Sequence, residues 1–487
     1  MPDAGFRQRA GATFRSVIND LKRNTEAAAA DLGVPPEVVA GVIAGERDLP
    51  AELLRRAVEV WPVNERDFLP VHDDAPDGVR ICRAAESVAT SRVFQRGGVD
   101  YYEYRDTAMS RLAMFRPEWI RMLQPVSDSR PDNPAVQWNR GHFLYQFTYF
   151  VGEVSYYYEW EGRRYCVEMS TGDSVAGLPY APHSFTYRAG GSGLILALTY
   201  GGRLLGDAQQ ELGALGADLA QQYALAGEPA AAAVLREHLD DTMTPVARLA
   251  AESGVPRERL EDLLAGKDLP SYEELAAVAR VLRVSVRDLL PVTGDERDGV
   301  CVVRGESAPA WSWPGTGPVA YQVRGLAGTR ICPDSRGLEL AVVGRDPQPA
   351  MLRTGLHQYC FVIGPDPVRL RWQPAGAVPA GAVPAGAVRE EILHPDDSLY
   401  VKPFVPHGFT QLAAGRSTVL VLRIGGKVAG DTRREAAALG APALRRLVRD
   451  TAQWYDPAQR HDPAQRYDPA QRHDAAQRPD AAQAGPR

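Results

Sequence analysis

The sequence has few cysteines, and none of them are paired at the spacing of a metal-binding motif. Only five occur in 487 residues, and no Cys-x-x-Cys unit is present. An odd number of scattered cysteines argues against a disulfide framework and against a zinc site built from thiolates. We therefore expect reduced thiols, and metal ligands of another kind if a metal is bound.

Long apolar runs and an excess of positive charge are also absent. The apolar stretch at residues 192–200 is far shorter than the roughly 20 residues that cross a bilayer. No apolar segment of a signal peptide opens the chain. The net charge of −6 offers no general attraction for a polyanion. We expect a cytoplasmic protein that binds neither membranes nor nucleic acid, and that could form a homo-oligomer.

The sequence does contain an internal repeat. Residues 15–70 and 236–291 share an order of apolar positions at helical spacing, each with an Ala-Gly turn followed by Asp-Leu-Pro. This pattern predicts short helices with a helix-turn-helix in the middle. The segments that follow, residues 140–200 and 350–424, alternate in polarity and are rich in Val, Tyr, Phe and Thr. They predict short antiparallel strands of a barrel or a sandwich.

The predicted fold class is therefore α+β, a tandem repeat of an all-α helix-turn-helix-like domain followed by a β-barrel domain. Residues 374–388, a Pro-Ala-Gly-Ala-Val repeat, read as an insertion in the second barrel. The predicted order is a helical domain at 1–72, a metal-binding barrel at 73–205, a second helical domain at 206–292, a metal-free barrel at 293–426, a C-terminal helix at 427–455 and a disordered tail at 456–487.

Two histidines and a glutamine in the first barrel predict a metal site. His142 and Gln146 are four residues apart, and positions four apart in a strand share one face. A Gly-Asp turn later in the chain begins another strand, and the Pro182-His183 step after it would bring a second imidazole to the same interior. Two imidazoles and one oxygen donor form the facial triad that suits Fe(II) and leaves positions open for substrate and O2. The spacing is that of the cupin metal motif.

The second β segment repeats only part of this pattern. His357 and His407 occur there, but sequence spacing aligns Phe361 with Gln146. A phenyl ring offers no metal ligand, so we expect the second barrel to be metal-free and structural.

Three further motifs carry a family resemblance. They are Gln95-Arg96-Gly-Gly-Val-Asp-Tyr101-Tyr-Glu-Tyr104, Asn139-Arg-Gly-His142 and Pro182-His183-Ser-Phe. Up to about residue 455 the chain resembles the phosphonate-oxidising tandem cupins, the family of methylphosphonate synthase and hydroxyethylphosphonate dioxygenase, which is related to hydroxypropylphosphonate epoxidase.

The resemblance implies an Fe(II)- and O2-dependent cleavage of the C–C bond of 2-hydroxyethylphosphonate. It also implies that Lys22, Arg96, Tyr104 and Asn139 bind the phosphonate, with Tyr104 or Tyr102 supplying hydrogen. Lys and Arg around a dianionic headgroup are chemically reasonable, since both give charge-assisted hydrogen bonds.

The third ligand separates the family members. In the dioxygenase pattern, the third ligand is a Glu in the Gly-Asp-Ser loop, and this chain has Gly177 at that position. In the epoxidase pattern, the third ligand is a Glu at the position where this chain has Gln146. Methylphosphonate synthase is the family member that this chain resembles in having Gln at the position of Gln146. The resemblance therefore favours methylphosphonate as the product over hydroxymethylphosphonate with formate.

Two other function classes remain open on the sequence. A transcription regulator would use the helix-turn-helix segments to read DNA, but residues 36–44 and 257–265 offer few base-reading side chains. A cupin isomerase or epimerase would keep its activity without O2.

Overall fold

The computed structural model describes residues 4–188, 190–224, 229–374 and 388–454. The predicted tail at 456–487, and the predicted insertion at 374–388 except for its two end residues, lie outside the described residues. The chain divides into two compact units, residues 1–72 with 436–487 and residues 73–435.

Helices occur in four stretches of the described chain. They are α1 (Ala4–Asp20), α2 (Thr25–Leu32), α3 (Pro36–Ile43), α4 (Ala51–Val60), α5 (Ala84–Ala89), α6 (Asp207–Leu215), α7 (Ala217–Ala220), α8 (Ala230–Asp241), α9 (Val246–Ser253), α10 (Arg257–Leu264), α11 (Tyr272–Leu282) and α12 (Gly430–Arg449). Within the described ranges, none of these helices is long and apolar enough to pass through a bilayer.

The strands of the described ranges all lie in the larger unit. They are β1 (Val79–Cys82), β2 (Arg92–Arg96), β3 (Val99–Asp106), β4 (Phe115–Met122), β5 (Tyr145–Gly152), β6 (Val154–Trp160), β7 (Arg163–Met169), β8 (Ser174–Gly177), β9 (His183–Tyr187), β10 (Gly193–Tyr200), β11 (Val300–Val303), β12 (Ala310–Trp313), β13 (Tyr321–Gly325), β14 (Ser335–Val342), β15 (His357–Val362), β16 (Val368–Trp372), β17 (Arg389–Leu393), β18 (Ser398–Val401), β19 (His407–Gln411) and β20 (Ser417–Ile424).

Local chemistry explains where the short helices start and stop. Asn24 precedes α2, and its side-chain oxygen accepts a hydrogen bond from the N–H of Ala27 at 2.7 Å, which satisfies one of the free donors of the first turn. Gly33 ends α2 at φ +68°, and Gly254 ends α9 at φ +78°. Glycine adopts this left-handed conformation without the steric cost of a Cβ, so each repeat turns sharply after its helix.

The strands form two pairs of antiparallel sheets. In the first sheet pair, a seven-stranded sheet in the order β11-β8-β5-β10-β4-β3-β2 accompanies the three-stranded sheet β7-β6-β9. In the second sheet pair, the seven-stranded sheet β1-β18-β15-β20-β14-β13-β12 accompanies β17-β16-β19. The mixed helix and strand content and the antiparallel sheets agree with the predicted α+β class.

Each sheet pair buries its own apolar core. Phe150 and Ile195 of the first large sheet pack with Tyr156 and Phe185 of its small sheet. Burying one such side chain contributes about 1.5–3 kcal/mol to folding. A corresponding core in the second pair is formed by residues that include Cys360, Val421, Leu370 and Phe409.

The opposite faces of the two large sheets pack against each other. This third core joins residues such as Phe147 and Leu198 of the first pair to Phe361 and Leu420 of the second. The buried hydroxyl of Tyr149 donates a 2.7 Å hydrogen bond to Glu339 across this interface. The large sheets therefore use both faces, one for their own core and one for each other.

The two pairs also exchange a strand. β1 hydrogen-bonds to β18 of the second pair, and β11 hydrogen-bonds to β8 of the first pair. Each exchanged strand covers a sheet edge that would otherwise present unpaired N–H and C=O groups.

Candidate metal centre

The three predicted ligands come together at one end of the first sheet pair. Gln146 is the second residue of β5, and His183 is the first residue of β9. His142 lies in an irregular segment three residues before β5 begins, so the expectation that it shares a strand face with Gln146 is wrong. Hydrogen bonds of the segment position the ring of His142 instead.

The side chain of Gln146 points between the two sheets. Phe150, four residues later on β5, belongs to the core between the sheets, whereas Phe147 and Tyr149 face the second sheet pair. Since strand side chains alternate, Gln146 shares the inner face of Phe150.

The contacts of His142 and Gln146 leave two electron pairs facing each other. The Nδ1 of His142 donates to the carbonyl of Leu144 at 2.8 Å, so its Nε2 carries a lone pair. The amide nitrogen of Gln146 donates to Thr148 Oγ1 at 3.0 Å. With a neutral imidazole, His142 Nε2 and Gln146 Oε1 face each other at 3.1 Å as two acceptors. Two acceptors this close fit a shared cation.

His183 contributes a third donor atom. Its Nδ1 donates to the carbonyl of Ala181 at 2.9 Å, and its Nε2 accepts a hydrogen bond from the Asn139 amide at 2.9 Å. The rings of His142 and His183 have centroids 5.2 Å apart. Burial lowers the pKa of His183 to about 4, so the ring is neutral at pH 7. Two imidazole nitrogens and one amide oxygen therefore fit the expected Fe(II).

Gly177 lies at this end of the site and has no side chain that could bind a metal. It is the last residue of β8 and lies directly opposite Gln146 in the strand register. A Cβ added there would meet no atom closer than 3.8 Å, so the position has free space.

Arg96 and Tyr104 have unused hydrogen-bonding groups. Arg96 donates to the carbonyl of Gln137 at 3.2 Å, and its guanidinium carbon lies 4.8 Å from the centroid of the Tyr102 ring. Its other N–H groups and the Tyr104 hydroxyl have no hydrogen-bond partner in the described ranges. Burial raises the pKa of Tyr104, so its hydroxyl stays protonated at neutral pH.

Tyr102 is fixed by strand β9. Its hydroxyl accepts a 2.8 Å hydrogen bond from the N–H of Phe185 and lies 3.4 Å from Ser184 Oγ. Burial raises its pKa as well. Tyr102 thereby holds the strand that begins with His183.

Lys22 lies in the smaller unit, in the turn between α1 and α2. Its backbone has φ +58°, and its ammonium group donates to the carbonyl of Asp20 at 3.0 Å. The ammonium also lies 4.5 Å from the centroid of the Trp454 ring. Asn19 and Gln453 help to line a cleft of about 290 Å³ beside it. The role of Lys22 in phosphonate binding stays a prediction.

Comparisons with known proteins place this geometry in a family. Methylphosphonate synthase from Nitrosopumilus maritimus (strain SCM1) is 41% identical over 455 residues, which are 92% of this chain and 96% of that protein. The structure of HEPD (2-hydroxyethylphosphonate dioxygenase) from Streptomyces albus, with 2-hydroxyethylphosphonate and Fe(II) bound, matches with a TM-score of 0.87 and 43% identity. It covers 93% of this chain and 100% of that chain. The chain belongs to the methylphosphonate synthase and 2-hydroxyethylphosphonate dioxygenase family.

Two further matches concern the fold. Another 2-hydroxyethylphosphonate dioxygenase structure, at 21% identity and TM-score 0.73, covers 89% of this chain and 99% of that chain. A helix-turn-helix family model matches residues 235–289, which confirms the predicted helix-turn-helix in the second helical segment. The family resemblance read from the sequence is likewise confirmed.

Glu118 is a neighbour of the family site that the sequence did not point to. It shares the inner face of β4 with Ile120, and its carboxylate interacts electrostatically with His142. Burial raises its pKa, and the Arg92 guanidinium is 4.0 Å away. In the described ranges the carboxylate accepts no hydrogen bond. A lone Glu on a strand gives no signal in sequence, because its distance from His142 depends on the sheet register.

The second sheet pair contains an altered copy of the site, and here the strand register corrects the sequence alignment. Gln146 lies opposite the last residue of β8, and Gln358 lies opposite Val401, the last residue of β18. Gln358, rather than Phe361, is therefore the counterpart of Gln146. A shift of register by an odd number of residues moves every side chain to the opposite face, and Phe361 accordingly packs between the large sheets.

The strand register also gives the two histidines of the second sheet pair different positions. His407 is the first residue of β19, as His183 is of β9, and its Nδ1 donates to the Val405 carbonyl at 2.9 Å. His357 lies on the other face of β15 and pairs with the Tyr400 hydroxyl at 2.7 Å. The counterpart of His142, four residues before Gln358, is Thr354.

Proposed function

We propose that this chain is an Fe(II)- and O2-dependent oxygenase that cleaves the C–C bond of 2-hydroxyethylphosphonate and releases methylphosphonate. Two relatives support the substrate and the product: one is named methylphosphonate synthase, and the other was solved with 2-hydroxyethylphosphonate and Fe(II). The released carbon leaves as CO2 with one water, so the reaction consumes one O2 and balances without another oxidant.

The observation that carries the proposal is the pair of opposed acceptors on His142 and Gln146 beside the neutral Nε2 of His183. In this assignment the three residues hold the iron, and bound iron supplies the one-electron chemistry with O2. An amide oxygen leaves the site one charge more positive than a carboxylate would.

Arg96 and Asn139 are assigned to the phosphonate. The free N–H groups of Arg96 can form a bidentate pair with two phosphonate oxygens, and the Asn139 amide already points to the atom of His183 that would bind the metal. Lys22 is assigned to the same headgroup on the resemblance alone.

Tyr104 and Tyr102 receive different roles. The free, protonated hydroxyl of Tyr104 can donate to a phosphonate oxygen and supply hydrogen during cleavage. The hydroxyl of Tyr102 is occupied by the backbone of β9, so Tyr102 orients the strand of His183.

The domain organisation is part of the proposal. Each sheet pair is a closed cupin barrel, at residues 73–205 and 293–426, and helical domains at 1–72 and 206–292 precede them, with a C-terminal helix at 427–455. The stacking of a large sheet on a small one around one core supports this assignment. The exchanged strands β1 and β11 join the barrels across their boundaries.

A second candidate is the dioxygenase reaction, which gives hydroxymethylphosphonate and formate. The 43% identity to the Streptomyces albus enzyme favours it. Gln146 and Gly177 favour the synthase, so the product has to be measured.

The regulator alternative rests on the helix-turn-helix match at residues 235–289. The arginines of α10 that could read bases are paired within the domain. Arg257 donates to Glu261 and Arg259 to Glu274, both at 2.7 Å. A recognition helix needs such groups for base edges, which favours the enzyme.

The test is turnover by purified protein loaded with Fe(II) under anaerobic conditions. After addition of 2-hydroxyethylphosphonate and O2, phosphorus NMR should show methylphosphonate, and the sample without O2 should show no product. Hydroxymethylphosphonate would replace the synthase assignment by the dioxygenase one. Product formed without O2 would instead indicate an isomerase-like cupin. No turnover, together with a mobility shift of DNA at low salt, would favour the regulator.

A further inference from the structure

An arginine occupies the second copy of the metal site. Arg423 lies opposite Gln358 in the register of β15 and β20, at the position that Thr199 has opposite Gln146 in the first pair. It shares its strand face with Val421, which belongs to the core between the sheets. Its side chain therefore starts from the inner face.

The contacts of Arg423 replace those of a metal ion. Its Nε donates to Gln358 Oε1 at 3.0 Å, so the amide oxygen faces a positive charge as it would in a metal site. Gln358 Nε2 lies 3.4 Å from His407 Nε2. Gln358 and His407 are both 0% exposed. Thr354 lies four residues before Gln358, as His142 lies four residues before Gln146, and the cation beside Gln358 is a side chain of this chain.

The rest of the guanidinium has nothing to bind. In the described ranges, neither terminal nitrogen of Arg423 has a hydrogen-bond partner, and no carboxylate forms an ion pair with it. Burial lowers the pKa of Arg423, which reflects the cost of partly removing its charge from water. An anion bound to the two terminal nitrogens would offset that cost.

A second arginine lies directly opposite. Arg336 of β14 is the register partner of Arg423, so both side chains leave the same face of the sheet. Its Nη1 donates to the carbonyl of Ser335 at 2.8 Å, and no carboxylate pairs with it in the described ranges. Two like charges in directly opposed positions destabilise a sheet unless something neutralises them.

We propose that this end of the second sheet pair binds a small tetrahedral oxyanion, either phosphate or a phosphonate, between Arg423 and Arg336. The planar fork of Arg423 matches two oxygens of such an anion, and the second guanidinium suits a double negative charge. The buried side chains of Gln358 and His407 hold the Nε of Arg423 in place, so the guanidinium is oriented before the anion binds. The site requires neither iron nor the proposed reaction.

The proposal is tested by isothermal titration of inorganic phosphate into the metal-free, full-length protein carrying Arg96→Gln, which weakens the first site. We expect one phosphate per chain, and adding Arg423→Gln should lower the affinity at least about 10-fold. Arg257→Gln on the exposed face of α10 is the matched control and should leave the affinity unchanged.

Two further arms keep the test decisive. Arg336 is exposed, so Arg336→Gln leaves the core intact and should weaken phosphate binding about 3-fold even if Arg423→Gln does not fold. Methylphosphonate in place of phosphate tells which anion is preferred, and either preference supports the site. Phosphate affinity that is unchanged by both substitutions, or formate bound as tightly as phosphate, would overturn the proposal. Because no turnover is measured, failure here is distinct from failure of the proposed enzyme.

Discussion

The two sheet pairs place related side chains at corresponding positions and fill the space between them differently. The site in the first sheet pair consists of His142, Gln146 and His183, and none of these three is a positively charged side chain like Arg423. Two of its acceptor atoms face each other at 3.1 Å. At the second, Gln358 accepts a hydrogen bond from the guanidinium of Arg423, and His407 lies next to Gln358. One scaffold thus supports either an external cation or one from the chain, and a few side chains decide which.

The largest effect should come from removing one histidine from each site. His183→Ala should lower Fe(II) affinity by more than about 100-fold and abolish turnover, because losing a ligand costs more than losing one of its supporting hydrogen bonds. His407→Ala is the matched control and should keep iron and turnover. Metal analysis and phosphorus NMR check both variants, and equal losses would mean that the two sites are not different.

Converting the second site into the first is the next test. Thr354→His together with Arg423→Thr would restore the second imidazole and remove the internal cation. We expect bound Fe(II) to rise from one to two per chain by metal analysis after anaerobic loading. Arg423→Thr alone should remain at one, and two irons in the unmodified protein would contradict the comparison.

Glu118 offers a smaller effect. It lies on β4 where the second pair has Leu338, and its negative charge acts on the end of the site that contains His142. Glu118→Gln should weaken Fe(II) binding about 10-fold at pH 7.5, which is about 1.4 kcal/mol.

The pH dependence of this difference has a definite sign. Burial raises the pKa of Glu118 above its ordinary value, so the wild-type carboxyl loses its charge earlier as the pH falls. The gap between wild type and variant should therefore narrow at lower pH. A gap that stays constant would show that charge is not the cause.

His407 should affect the stability of the fold rather than iron binding. Burial lowers its pKa to about 4, while an unfolded histidine titrates near about 6.5. Between these values only the unfolded chain binds the proton, so stability falls as the pH drops, by about 1.4 kcal/mol per pH unit. Below pH 4 the folded chain protonates too, and the slope vanishes.

The measurement is urea unfolding of metal-free protein at several pH values between 4 and 7. His407→Leu should lose this part of the slope, whereas a packing cost would shift stability equally at every pH. An unchanged slope in the variant would show that His407 does not contribute.

Much of the candidate site could be predicted from the sequence. The candidate ligands His142, Gln146 and His183 are predicted because a short motif and a Pro-His step contain a recognisable set of donor atoms, and the structure brings these side chains close to one another. The reason given for His142 was wrong, since its segment is irregular. Its carbonyl contact at Leu144 has no sequence signature.

Other residues of the site could not be found in this way. Glu118 and Arg423 sit on strands whose neighbours are far away in the chain, and their relation to His142 and Gln358 follows from the sheet register. Phe361 was matched to Gln146 by counting residues, although a shift of three positions along a strand puts the side chain on the other face.

The sequence by itself determined what depends on neighbouring residues: the repeat, the helix caps at Asn24 and Gly33, the alternation of the strands and the donor atoms of the candidate metal site. Only the tertiary structure decided which strands meet, that β1 and β11 cross between the sheet pairs, and that Arg423 lies beside Gln358. The physical reason is that caps and alternation are set by local hydrogen bonds and side-chain period, whereas register and strand exchange are set by the burial of whole faces between distant segments.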